Sequence, residues 1–311
     1  MEPWRHKFSL LILKGMAMGA ADVVPGVSGG TIAFISGIYE ELIESLRSIN
    51  FHALQLLFRQ GPAAAWQAIN GNFLLAIFSG IVISLLLFSR LVSYCLVHYP
   101  VHVWSFFFGL IVASIIYIAR QLQAWGWREW LALVLGTALA LVISVAKPAQ
   151  LPGDWWMLFL AGALAICAMI LPGVSGSFIL LLMGMYSVFI NALKNFDLVL
   201  LLSFAGGCAC GLIVFSHLLA WLLKHFHSPT LALLTGFLLG SLNVIWPWKQ
   251  TLASTLDRHG KEIPLVQENL LPSTYQQLTG AEAHVGWAIA LAILGILLVL
   301  GLERLASTSE K

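Results

Sequence analysis

The chain has 311 residues, of which 59% are hydrophobic and 10% charged, with a formal net charge of +2. This composition excludes a soluble globular domain and a disordered chain, and marks an integral membrane protein. Its basic residues are few and scattered, which excludes a nucleic-acid surface. Four cysteines, Cys95, Cys167, Cys208 and Cys210, fall inside apolar stretches without His or carboxylates at ligand spacing, so they read as packing residues, and no metal or cofactor is expected.

At the N-terminus, Arg5, His6 and Lys7 followed by apolar residues 8–13 imitate a signal peptide, but Lys14 interrupts the run and the segment has a counterpart in mid-chain, so it is expected to be retained. Residues 8–23 form a short apolar arm ending at Val24-Pro25-Gly26-Val27-Ser28-Gly29-Gly30. Proline has no amide hydrogen and clashes with the preceding turn, and glycine gains too much freedom, so a helix must break here. A second arm follows over 31–46. Arms of about 16 residues reach only ~24 Å, short of a ~30 Å hydrocarbon core, so 8–46 reads as a re-entrant hairpin. About twenty residues without a counterpart in the second copy, at 50–71, lead to spans 73–97, 103–119 and 130–146. The pattern then restarts with an arm at 155–170, the break Leu171-Pro172-Gly173-Val174-Ser175-Gly176-Ser177 and a second arm ending at 193. Hairpin 155–193 is followed by spans 198–223, 230–246 and 286–302, and the polar stretch 249–284, without an organised motif, reads as an extracytoplasmic loop.

The repetition extends beyond the breaks. At a shift of 147, Pro25, Gly26, Val27, Ser28, Gly29, Gly37 and Tyr39 meet Pro172, Gly173, Val174, Ser175, Gly176, Gly184 and Tyr186; at a shift of 127, Ser89, His98, Gly109 and Ser114 meet Ser216, His225, Gly236 and Ser241. The expected fold is therefore an all-α polytopic membrane protein of two repeats, 1–147 and 148–311, each one re-entrant hairpin plus three transmembrane helices. Three crossings per copy is an odd number, so the second copy is inverted, the usual construction of alternating-access carriers. Nine Lys and Arg residues fall on one side of this scheme and five on the other, which places both termini in the cytoplasm. The small residues Gly109, Ser114, Gly236 and Ser241 are expected at close helix contacts between the copies.

Broken backbone at membrane depth is tolerated only where protein or a water-filled cavity satisfies it, so a break in matching positions marks a binding site. A tip in which Gly-Val-Ser-Gly opens a helix presents amide hydrogens backed by the helix dipole, an anion receptor by construction. The candidate substrate-binding residues are Pro25, Gly26, Val27, Ser28, Gly29, Gly30 and Thr31 with Pro172, Gly173, Val174, Ser175, Gly176 and Ser177. Tight packing of small residues is the alternative use of the same sequence. Charges inside the apolar zone come next. Arg90 can hold an anion with its guanidinium or snorkel to the interface. Asp22 can bind H⁺ or Na⁺ or cap the break, and Glu40, Glu41 and Glu44 are coupling-ion candidates or a solvated face.

The phrase Gly19-Ala20-Ala21-Asp22-Val23-Val24-Pro25-Gly26-Val27-Ser28-Gly29-Gly30-Thr31, with its second copy at 171–177, resembles the bacterial polyprenyl-phosphate transporter family over nearly the whole chain. That resemblance implies a flippase in the bacterial cytoplasmic membrane, which returns undecaprenyl phosphate, the lipid carrier of cell-wall precursors, from the outer to the inner leaflet. It also implies a polyprenyl phosphate lipid as partner and a site at Asp22, 25–31 and 172–177. One departure is internal, since Met169 stands where the first copy has Asp22. The coupling ion and a homo-oligomeric state are left open. Two other readings stand beside the flippase: an anion channel or small-anion carrier, and an intramembrane lipid-phosphate enzyme with Ser28 or Ser175 as nucleophile. The absence of a His or carboxylate partner for either serine argues for a non-enzyme.

Overall fold

The computed structural model describes residues 8–24, 27–122, 125–146, 148–149, 151–256 and 262–308. The first half comprises α1 (Phe8–Asp22), α2 (Gly29–Ile35), α3 (Tyr39–Arg47), α4 (Phe51–Gln60), α5 (Pro62–Ala68), α6 (Gly71–His98), α7 (Pro100–Gln121) and α8 (Trp127–Val145). The second comprises α9 (Trp155–Ile170), α10 (Gly176–Leu182), α11 (Met185–Lys194), α12 (Leu198–His225) and α13 (His227–Ser241), then strands β1 (Lys249–Leu256) and β2 (Glu262–Asn269), α14 (Pro272–Thr279) and α15 (Val285–Thr308). Helix starts follow local chemistry. Asn50 Oδ1 accepts from the amides of His52 and Ala53, Asp197 Oδ1 accepts from those of Val199 and Leu200, and Pro62, Pro100 and Pro272 occupy first turns.

The chain is an integral multi-pass membrane protein. Among the described residues, α6, α7, α8 and α12 are long and apolar enough to cross a bilayer unaided, and α10 with α11 makes a fifth span only if the bent pair is counted as one. Six ordinary crossings were expected. The 230–246 span is shorter than that, because α13 ends at Ser241 in a turn ahead of Trp246-Pro247, and a residue preceding proline is pushed out of the helical region. The apolar part of α15 is likewise short, covering 285–301.

Two further expectations need correction. Each second arm is itself broken: α2 gives way to α3 at Gly37 (φ +71°), and α10 to α11 at Gly184 (φ +69°), where the chain turns by 106°. Both glycines sit in the left-handed region that a side chain disfavours, which explains their recurrence at a shift of 147. The stretch 249–284 is organised. β1 and β2 pair antiparallel from Lys249↔Asn269 to Leu256↔Glu262, with bulges at Ala253, a two-stranded hairpin within a mostly helical chain. Trp246 and Trp248 pin this hairpin to the helices, donating from Nε1 to the carbonyls of Leu270 and Ala283 at 2.9 and 2.8 Å.

The long helices meet glycine against backbone. Gly15 and Gly19 of α1 face the carbonyls of Ile77 and Ile81 on α6; on α12, Gly207 and Gly211 face the carbonyls of Phe159 and Ala163 on α9. Numbers rise together along both partners, so α1 runs parallel to α6, and α9 runs parallel to α12. The chain between each parallel pair therefore returns to the level at which the pair began. Across the halves, Gly109 of α7 lies against Ala292 and Gly295 of α15 against Phe106, while Gly236 of α13 lies against Leu133 and Gly136 of α8 against Leu233. Each half's second long helix is thus held by the third long helix of the other half.

Candidate functional site

Where α1 and α9 end, their last carbonyls lose helical partners, and in an apolar surrounding each unpaired group costs several kcal/mol. The two halves satisfy each other. Ser28 Oγ donates to Met169 O at 2.8 Å, the buried Tyr39 hydroxyl donates to Ile170 O at 3.1 Å, and Thr31 Oγ1 accepts from the Gly173 amide at 2.9 Å. Gly30 lies so close to the other break that a Cβ there would stand 2.7 Å from Ile170 O. The two tips, 142 residues apart at Thr31 and Gly173, form one joint.

The first tip does not present bare amides. Asp22 Oδ1 accepts from the Gly29 amide at 2.6 Å, and Ser28 Oγ, as N-cap of α2, accepts from the Gly30 amide at 3.1 Å. Pro25 and Gly26 lie outside the described residues. Val27, Ser28, Gly29, Gly30 and Thr31 are all buried. Beside them is an apolar cavity of about 200 Å³, reached by Asp22, Gly29 and Gly30 and walled by Met18, Leu42, Ile77, Ile81, Met169 and Leu212 among others.

The second tip is built differently. Ser175 is the N-cap of α10 but makes no capping bond; its hydroxyl pairs instead with Ser177 Oγ at 2.9 Å. Pro172, Gly173, Val174 and Gly176 are buried, and Gly173, Val174 and Ser175 line a small cleft together with Ser144, Ser241, Phe178 and Val244. Where Asp22 would fall at a shift of 147 the second copy has the thioether of Met169 in place of a carboxylate.

The charged candidates other than Asp22 stand apart from the tips. Arg90 lies on an exposed face of α6 between Leu86, Leu87 and Leu91, and lines neither the cavity nor the cleft. Glu40 pairs with His227 (2.9 Å), Glu41 accepts from Asn70 (3.1 Å) and Glu44 pairs with Arg47 (3.1 Å), and Glu40 and Glu44 are exposed. Lys14 Nζ donates to the Ser36 carbonyl at 2.8 Å, closing the C-terminal end of α2. Sequence reasoning missed Tyr39 as a joint residue, although its recurrence with Gly37 as Tyr186 with Gly184 was the available signal.

A family model for undecaprenyl phosphate translocase-like proteins matches residues 18–263, which include both tips. The chain belongs to that family. Among similar proteins, one named "Polyprenyl-phosphate transporter" from Vibrio cholerae serotype O1 is 48% identical over 294 residues, covering 94% of this chain and 96% of the relative. Another of the same name from Staphylococcus aureus is 33% identical over 254 residues, covering 76% of this chain and 85% of the relative. No solved structure matches the chain.

Proposed function

We propose that the protein is a flippase that carries undecaprenyl phosphate from the outer to the inner leaflet of the bacterial cytoplasmic membrane, for reuse of the carrier lipid in envelope synthesis. The observation that carries this reading is the joint itself: Ser28 on Met169 and Gly173 on Thr31 bring two broken helices together where polar backbone would otherwise lie in hydrocarbon. A phosphate headgroup in hydrocarbon suffers a large desolvation penalty, which amides and hydroxyls at the joint offset. The headgroup is held at the tips. The second one leads, because Asp22 already occupies an amide of the first. The polyprenyl tail stays in lipid or in the apolar cavity beside Gly29 and Gly30. The printed names of the two relatives support the choice of substrate class.

Alternating access follows from two inverted repeats. That arrangement is supported by the parallel packing of α8 with α13, in which Gly236 and then Gly240 meet residues 133–137 and then 137–141. With each crossing reversing direction, α6 and α8 run one way and α12 the other, so the equivalent pairs α1–α6 and α9–α12 are opposed. Rocking one half against the other exposes the headgroup to each leaflet in turn. Both termini face the cytoplasm in this scheme. Asp22, reaching both the cavity and the tip, is the coupling-ion candidate for H⁺ or Na⁺, ahead of the surface-paired Glu40, Glu41 and Glu44. Among the described residues Ser28 Oγ donates to a carbonyl and Ser175 Oγ bonds Ser177 Oγ, which supports the transporter reading over the hydrolytic one.

The test is reconstitution in vesicles with labelled undecaprenyl phosphate in one leaflet. Protein-dependent loss of label from that leaflet is the expected result. Chloride or carboxylate flux without lipid movement would instead favour the channel reading, and release of inorganic phosphate the enzymatic one.

A further inference from the structure

Lys249 opens β1 directly after the turn that ends α13. Its ammonium lies over the Trp104 ring, 4.1 Å from the centroid, and donates to the carbonyl of Val244. Among the described residues no carboxylate pairs with it. Burial pushes the Lys249 amine down to about 7, as expected for a cation without a counter-charge. Among the described residues its ammonium has one hydrogen-bond acceptor, the Val244 carbonyl, beside the Trp104 ring.

The surroundings connect this cation to the second tip. Val244, its acceptor, lines the cleft that also holds Ser144, Gly173, Ser175 and Ser241. Asn243 Nδ2 donates to Ser144 Oγ at 2.8 Å, and Asn269 Nδ2 in turn donates to Asn243 Oδ1 at 2.8 Å, so the β-hairpin fixes Asn243 in place. Hydrogen bonds thus run from Asn269 at the base of the β-hairpin through Asn243 to Ser144, which shares the lining of the cleft with Ser175. A buried ammonium lacking an ion-pair partner is costly, and an anionic ligand with several acceptor oxygens removes that cost.

We infer that Lys249, with Asn243 and Ser144, forms an anion-binding station at the mouth of the second tip, which takes a phosphate monoester before it reaches Ser175 and Ser177. That the ester belongs to a lipid rests on the proposed function; the chemistry alone fits free phosphate equally. Trp104, Trp246 and Trp248, three of the chain's twelve tryptophans, lie close to Lys249 and make indole fluorescence responsive to the site.

The experiment measures equilibrium binding to the full-length protein in nanodiscs by tryptophan fluorescence, with a short-chain polyprenyl monophosphate, the matching polyprenyl alcohol and inorganic phosphate as separate titrants. Expected are binding of the monophosphate well above that of the alcohol, a loss of about tenfold or more in Lys249→Met, and near-native affinity in Lys249→Arg. Because Lys249 also closes the Val244 carbonyl, Asn243→Asp supplies a second variant. Its carboxylate is expected to pair with Lys249 and weaken phosphate binding by a similar factor. Inorganic phosphate binding as tightly as the lipid, with the same sensitivity to both variants, keeps the station and assigns it free phosphate. Native monophosphate affinity in both Lys249→Met and Asn243→Asp would overturn the station. Binding is read without turnover, so a protein that binds through Lys249 but moves no lipid refutes the flippase and leaves the station standing.

Discussion

The two tips share a sequence pattern and differ in what fills them. At the first, the Asp22 carboxylate sits on the Gly29 amide and Ser28 on the Gly30 amide, so the helix start is closed by its own chain. At the second, Met169 replaces the carboxylate, Ser175 leaves the α10 amides uncapped and bonds Ser177 instead, and a cleft lined by Ser144, Ser175 and Ser241 also reaches Val244, whose carbonyl holds Lys249. A duplicated motif therefore does not imply a duplicated job. One copy closes its helix start with its own side chains, and the other is the one to which the proposed function assigns the anion.

The sharpest way to break this contrast is to add bulk. Gly30→Ala and Gly176→Ala place a Cβ 2.7 Å from Ile170 O and 2.6 Å from Ala165 O, both rigid backbone, whereas Gly29→Ala meets the Asp22 carboxylate at 2.7 Å, which can rotate. Thermal unfolding in detergent is expected to show a loss of about 1–3 kcal/mol for the first two and less for Gly29→Ala, with transport abolished in Gly30→Ala and Gly176→Ala. Equal behaviour of all three would remove the distinction between backbone and side-chain neighbours.

Removing single donors comes next. Ser28→Ala leaves the Met169 carbonyl without its partner and Thr31→Val leaves the Gly173 amide without one, each expected to destabilise by about 1–3 kcal/mol. Asp22→Asn keeps an acceptor for Gly29 but discards the charge. Its unfolding temperature is expected to stay near native while ion-driven transport falls, and unchanged coupling would return Asp22 to a purely capping role. Met169→Asp gives the second tip the first tip's carboxylate and is expected to weaken phosphate binding at least tenfold by like-charge repulsion. The smallest effect belongs to Arg90→Ala, expected within about twofold of native headgroup affinity because the side chain is exposed and lines neither cavity. A tenfold loss there would restore Arg90 to the site.

Much of this was legible beforehand. Composition and apolar runs gave the membrane class, and the doubled Pro-Gly-Val-Ser-Gly located the joint, because proline and glycine act on backbone that is local to them. What the sequence concealed depended on distant contacts. No periodicity announces that Ser28 and Tyr39 serve carbonyls at 169 and 170, or that Asp22 folds back onto Gly29. The second break in each hairpin was visible as recurring Gly37 and Gly184, but a glycine in a helix is ambiguous until its φ is known. The strand pair at 249–269 escaped notice because Lys249, Gln250 and Thr251 lack a clear apolar alternation, and its docking relies on Trp246 and Trp248, which read as interface anchors.

The most direct measurement is the distance between phosphorus and labelled amide nitrogens, by solid-state ³¹P–¹⁵N dipolar recoupling on the protein in bilayers with bound undecaprenyl phosphate. The expected result is strong dephasing for amides at Gly176 and Ser177 and weak dephasing at Gly29, whose amide is already held by Asp22. Phosphorus distant from every amide of both tips would contradict the claim that the joined breaks hold the headgroup.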